Sequence, residues 1–305
     1  MNFRLIAILV IFSVVIIIPA ADGQNLNENS LQKSVKVNIN SNGQAHVIHT
    51  IKSSNSPHQI ELIPGTITNL NVKDNNGSEI QFGEISENSI MLLPSNEEIT
   101  IEYDLSDVMS YNDNFWLWDF LYLESTSFYF PEGVDLVFVD DKPAFLADKK
   151  GIICHGCQMK LEYSLNEPKF FQELKINDEK YKIQFRTWDE IKNLSLDKEL
   201  GGLTFQVQDN DSFVTAAIPK NLIISPFNVF LDNEKIFFHK FNENSTYVWL
   251  NMRPEHSGEI SITGTIIPDL SNYDQSSIQF PIEFAIVIIA GIGIAIALIF
   301  IKRKK

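Results

Sequence analysis

The stretch Val35-Lys36-Val37-Asn38-Ile39-Asn40-Ser41-Asn42-Gly43-Gln44-Ala45-His46-Val47-Ile48-His49-Thr50-Ile51 decides the fold class. Val35, Val37 and Ile39 alternate with Lys36, Asn38 and Asn40, and Ser41-Asn42-Gly43 turns the chain. Ala45, Val47, His49 and Ile51 then share one face of the return. Side chains on a strand point alternately to two faces, so this period of two marks a half-buried hairpin and not a helix. The same pattern carries forward. Leu70 and Val72 lead into Asp74-Asn75-Asn76-Gly77, whose Asn-Gly favours the positive φ angles of a tight hairpin turn. Ile99, Ile101 and Tyr103 alternate with Thr100, Glu102 and Asp104, and Met159, Leu161 and Tyr163 form a later strand. After Asn166-Glu167-Pro168 the alternation restarts at Tyr181, Ile183 and Phe185, with further strands expected near 203–207, 213–218, 228–231, 236–238, 247–250 and 260–263. Away from the chain ends, only residues 186–200 have room for a helical turn or two. The expectation is an all-β chain with two antiparallel β-sandwich modules of immunoglobulin-like type, at 31–167 and 172–268 with a joint at 168–171; the first divides into two modules on one reading.

Residues 115–130 hold eight aromatics: Phe115, Trp116, Trp118, Phe120, Tyr122, Phe128, Tyr129 and Phe130. Trp116, Trp118, Phe120 and Tyr122 fall on one strand face, with Leu117, Asp119, Leu121 and Leu123 on the other. Core on both faces of a central strand is expected, because aromatic burial is strongly favourable. The alternative is an aromatic platform for sugars or a partner.

Both ends are apolar. Arg4, the run 5–18 (apolar but for Ser13) and Pro19-Ala20-Ala21-Asp22-Gly23 read as a signal peptide over 1–23, followed by a linker at 24–30. Residues 284–301 carry no charged or polar side chain and end at Lys302-Arg303-Lys304-Lys305. Eighteen helical residues rise about 27 Å, close to the hydrocarbon core of a bilayer. A stalk at 269–280, a transmembrane helix at 281–301 and a cytoplasmic tail at 302–305 are therefore expected, with the ectodomain extracellular at the cell membrane. Within the span, Gly291 and Ala295, and Gly293 and Ala297, stand at small-residue spacing and read as filler rather than a dimer face.

The net charge is −15. Five basic and two acidic residues lie in the two ends, so residues 24–280 carry −18. That sign excludes nucleic acid as a partner, since phosphates call for Lys and Arg. No nucleophile elbow, phosphate loop, dinucleotide fingerprint or paired-His zinc helix occurs, so neither an enzyme nor a cofactor is expected. His46 and His49, three apart on a strand, face opposite ways. Asp209-Asn210-Asp211 could offer oxygens to calcium, but it lacks the glycine and the bidentate Glu of a full loop and reads as a turn. Asn76, Asn193, Asn210 and Asn244 each begin a glycosylation acceptor at an expected turn or loop.

Cys154 and Cys157 are the only cysteines. On the oxidising side of a membrane, a structural disulfide at a hairpin tip is the first reading. The second is a copper or redox site in which Cys154, His155, Cys157 and Met159 supply soft ligands.

Ile262-Thr263-Gly264-Thr265-Ile266-Ile267-Pro268, then Phe280-Pro281-Ile282-Glu283-Phe284 and the apolar run, resemble the ends of exported archaeal surface proteins with a Pro-Glu-Phe sorting tail, common in ammonia-oxidising archaea. The resemblance covers residues 200–301 and takes in a C-terminal β-sandwich module through Ala217-Ile218-Pro219-Lys220 and Val229-Phe230-Leu231-Asp232. It implies a surface location and recognition by an archaeosortase; here Ile282 separates Pro281 from Glu283. The function expected is a membrane-anchored cell-surface β-sandwich protein, with a binding or structural role toward a protein or glycan partner in the envelope. The alternatives are the copper or redox protein and an accessory subunit of a membrane complex.

Overall fold

The computed structural model describes residues 31–146, 151–176, 179–197 and 200–267. The signal peptide, linker, stalk, membrane span and tail expected at 1–23, 24–30, 269–280, 281–301 and 302–305 lie outside the described residues. Among the described residues the regular structure is all strand, and no helix is long and apolar enough to cross a membrane.

An N-terminal body contains β1 (Gln32–Ile39), β2 (Ala45–Ile51), β3 (His58–Glu61), β4 (Ile67–Asp74), β5 (Phe82–Ser86), β6 (Ser89–Leu92), β7 (Ile99–Leu105), β8 (Ser110–Asn112), β9 (Phe115–Tyr129), β10 (Leu136–Val139), β11 (Lys142–Phe145) and β12 (Gly151–Tyr163). They form a nine-stranded sheet in the order β11-β10-β12-β9-β1-β2-β7-β4, with β8 beside β9, and a three-stranded sheet β3-β6-β5. The alternation read from the sequence explains the packing. Val35, Val37, Val47 and Ile51 point inward from the large sheet and meet Ile60, Ile90 and Leu92 of the small one, and Leu62 just past β3, in a single core. One pairing is parallel: Val35 to Asn38 of β1 run alongside Thr126 to Tyr129 of β9. A parallel neighbour needs a long crossover, and everything from β2 to β8 supplies it.

The C-terminal body comprises β13 (Lys169–Ile176), β14 (Glu179–Arg186), β15 (Lys192–Asp197), β16 (Gly202–Val207), β17 (Val214–Pro219), β18 (Ile223–Leu231), β19 (Glu234–Ile236), β20 (Phe238–Glu243), β21 (Tyr247–Met252) and β22 (Gly258–Ile266). Two five-stranded sheets, β13-β14-β17-β21-β20 and β15-β16-β22-β18-β19, enclose a second core around Ile183, Phe185, Phe205, Leu250 and Ile262. All their pairings are antiparallel.

Four local expectations are corrected. Strand β13 begins at Lys169, inside the stretch 168–171 read as a joint. Residues 186–200 hold β15 rather than a helical turn, because Leu194 and Leu196 pack inward from it onto the second core. The aromatic strand β9 buries Trp118, Phe120 and Tyr122 but leaves its other face open, with Leu121 57% and Leu123 77% exposed. Among the described residues no second sheet covers that side. The cysteine pair stands within β12, at a bulge, and not at a hairpin tip.

Candidate functional site: the seam between the two bodies

Strand β10 carries core on both faces. Val137 points into the N-terminal core, while Leu136 and Phe138 point out toward the C-terminal body. There Phe138 stacks on Phe213, with ring centroids 3.6 Å apart and planes 8° from parallel, and Phe115 closes on Phe213 at 5.5 Å with its plane tilted by 54°. Two arginines flank this aromatic contact.

Arg253, just past β21, lies 4.6 Å over the Phe213 ring. Its Nη1 donates to Asp141 Oδ1 at 2.6 Å and Glu162 Oε2 at 3.2 Å, both in the N-terminal body. Its Nη2 donates to Asp211 Oδ2 at 3.2 Å in the C-terminal body. Partial burial works against the charge on Arg253, but Glu162, Asp141 and Asp211 outweigh it and raise its pKa. On the other flank Arg186 of β14 donates through Nε to Glu167 and through Nη1 to Asp135 Oδ1 at 2.6 Å, and Lys169 reaches Asp135 Oδ2. Burial raises the Glu167 pKa, with Arg186 pulling against it. Arg186 and Glu167 are the buried members of this set, and removing either leaves the other an uncompensated charge, which is strongly destabilising even where the pair adds little net stability.

A third tie is polar and neutral. Trp188 Nε1 donates to Ser164 Oγ at 2.8 Å, and Ser164 Oγ donates to the Asn114 carbonyl at 2.7 Å. The bodies are thus joined by an aromatic stack, two arginine clamps and this relay.

Two clefts open beside Arg253. One, of about 680 Å³, is walled by the β8–β9 turn (Asn112, Asp113, Asn114), by Trp188 and by the turn Asp209-Asn210-Asp211. The other, of about 600 Å³, is lined by Asp141, Lys235, Phe237, His239, Glu255 and His256. Lys160, Asp211 and Arg253 border both. Burial and the Lys142 charge lower the His239 pKa.

Most residues singled out in the sequence fall elsewhere, but the turn Asp209-Asn210-Asp211 and the strand residues Phe115 and Leu117 line the larger cleft. Cys154 and Cys157 form a disulfide with Cα atoms 6.0 Å apart. Residues three apart on a regular strand face opposite ways. Here the register slips between His155 and Cys157, and Gly156 takes φ +65°, so both sulfurs reach the inner side. His155 stays on the outer side, 3.1 Å from Ser125 Oγ, while Met159 is buried in the core. The four residues of the copper reading are therefore split between two faces, and a bridged pair offers a metal no thiolate. Among the described residues no three His, Cys, Asp or Glu side chains are grouped to hold a metal ion. His46 is exposed against Asp104 and His49 is buried, on opposite faces as their spacing requires.

All four acceptor asparagines are exposed. Asn76, Asn210 and Asn244 sit in turns, but Asn193 lies within β15, at an irregularity where its φ is +53° and its Nδ2 donates to Gln206 Oε1 at 2.7 Å. A strand that bulges reads locally like a loop. Of the four acceptors, Asn210 lines the larger seam cleft.

The seam itself was missed, yet one signal for it stood in the sequence. Arg186 and Arg253 are the only arginines between residues 24 and 280, every other basic residue there being lysine. A planar, always-charged fork is suited to buried ion pairs in a way that lysine is not.

Neither known protein families nor curated proteins yield a match to this chain. Among solved structures, it is similar to an aminopeptidase N family protein from Idiomarina loihiensis at 12% identity and a TM-score of 0.33. The match covers 48% of this chain and 31% of that one, and a likeness so slight carries no weight for fold or activity.

Proposed function

We propose that the chain is a membrane-anchored cell-surface protein of immunoglobulin-like β-sandwich build, and that it binds its partner at the seam. The observation that carries the reading is the larger cleft, set where two all-β bodies meet and walled by a turn from each. Ligand sites favour such junctions, because neither body alone can supply a concave surface. Two of the cleft's carboxylates, Asp211 and Glu162, are held by Arg253 and serve to fix the walls in place. The surface location is supported by the signal-like start, the apolar run before a basic tail, the disulfide and four exposed acceptor asparagines. The resemblance to exported archaeal proteins with a sorting tail fits the same placement.

A second reading has its own support. Leu121, Leu123 and Ile153 stand exposed around the β12 bulge, an apolar group of the kind that a stable partner subunit covers. On that reading the chain is an accessory subunit of a membrane complex.

Protease added to intact cells tests the placement. Residues 24–280 are expected to be shaved from the surface while cytoplasmic proteins survive. Digestion only after permeabilisation would contradict it.

A further inference from the structure

We infer that the larger seam cleft is a carbohydrate site, selective for neutral or amino-bearing sugars over acidic ones. The inference rests on the reading of the seam as a binding site and names its ligand class.

Three features carry it. The first is an aromatic wall. Trp188 lines the cleft and is 37% exposed, although its indole N–H is fixed to Ser164 Oγ at 2.8 Å. A pinned indole that keeps apolar surface open beside polar groups matches the C–H face of a pyranose, which is apolar in the middle and ringed with hydroxyls.

The second is the polar wall on each side. Asn112, Asp113, Asn114, Asp209 and Asn210 supply amide donors and carboxylate acceptors, the paired chemistry that vicinal hydroxyls need. Both turns are held before any ligand arrives. Asp113 and Asn114 take positive φ angles of 47° and 68° in the tight β8–β9 turn. The buried Asp189 carboxylate accepts the backbone N–H groups of Gln208 and Asp209 at 3.0 and 3.2 Å, tying the second turn to the Trp188 segment. Such preorganisation reduces the ordering cost of binding.

The third is charge. Asp113, Glu162, Asp209 and Asp211 face only Lys160 and Arg253 among the lining residues, an acidic excess. A uronate or a sulfated sugar would meet like charge, whereas a hydroxyl or an ammonium would not. The volume of about 680 Å³ lies within the ~300–1,000 Å³ usual for small-molecule clefts. Asn210 adds a consequence. A glycan attached there would enter the same cleft and compete with a free sugar.

The test uses the full chain, produced without glycosylation, in a detergent that lacks a sugar headgroup. It is titrated by calorimetry with cellohexaose, a chitosan hexamer and an oligogalacturonate of the same length. Cellohexaose or the chitosan hexamer is expected to bind, and the oligogalacturonate at least about tenfold more weakly. Trp188→Ala is expected to weaken binding about tenfold and Trp188→Phe to restore most of it. Asp209→Ala, an exposed change whose backbone tie to Asp189 survives, covers the chance that Trp188→Ala misfolds, and is expected to weaken binding too. No binding by either favoured sugar, equal binding of the acidic one, or binding indifferent to both positions would overturn the inference. If the sugars fail while intact-cell shaving succeeds, the ligand class falls and the surface placement stands.

Discussion

His49 shows how far a single residue can be read. Its spacing from His46 put the two on opposite faces, and it is buried in the core. What the sequence could not show is the set of partners, which come from remote strands. His49 Nδ1 donates to Gln32 Oε1 at 2.8 Å, and Tyr103 O–H donates to His49 Nε2 at 2.9 Å while accepting the Ile63 N–H at 2.8 Å. Gln32 Nε2 donates to the Tyr122 hydroxyl at 2.8 Å, which donates in turn to the Glu61 carbonyl. This chain of bonds is complete only with a neutral imidazole, and burial lowers the His49 pKa from 6.5 to about 3. Below pH 6.5 the unfolded chain takes up a proton that the folded chain refuses until about pH 3. Stability contributed by the neutral ring is thus full above pH 6.5 and declines as the pH falls, by up to about 1.4 kcal/mol per pH unit. Urea unfolding at pH 7, 5 and 4 checks this. His49→Gln should be less stable than the parent at pH 7, with a shallower loss toward pH 4; an unchanged slope would remove His49 from the acid response.

At the scale of elements, period two located most strands, because one buried face imposes alternation wherever it occurs. It could not say what covers the second face of β9, since an exposed leucine and a buried one look alike in sequence. Phe120→Ala should lower stability by about 3–5 kcal/mol, whereas Leu123→Ser should stay within about 0.5 kcal/mol and improve solubility. Equal losses in chemical denaturation would mean that β9 is covered on both sides. The β12 bulge was hidden for a related reason. Two intervening residues permit a disulfide, but whether they form a hairpin tip or a bulge depends on the neighbouring strand. Gly156 separates the two effects. A Cβ there would stand 2.3 Å from the Leu123 carbonyl oxygen, while at Gly77, also at positive φ, it would meet nothing within 4 Å. Gly77→Ala should cost only the conformational penalty, about 1–2 kcal/mol. Gly156→Ala must also displace β9 backbone and should cost clearly more. Matching melting temperatures for the two variants would refute the bulge.

The whole molecule is where sequence reading stopped short, since the seam brings together Asp135, Phe138, Asp141 and Glu162 with Arg186, Phe213 and Arg253 across long chain separations. Nothing local in Phe213 distinguishes a core ring from one stacked on another body. The use of arginine at two places in a lysine-based chain was legible, but only as a question. Its answer is that both arginines couple the bodies, and this coupling holds the walls of the cleft at a fixed separation. Scanning calorimetry of the full chain, parent against Arg253→Ala/Phe213→Ala, tests that coupling most directly. The parent should unfold in one cooperative transition, and the variant should split into two as the bodies melt independently. Two transitions already present in the parent, or a variant that still melts as one unit, would contradict the seam as the joint that builds the site.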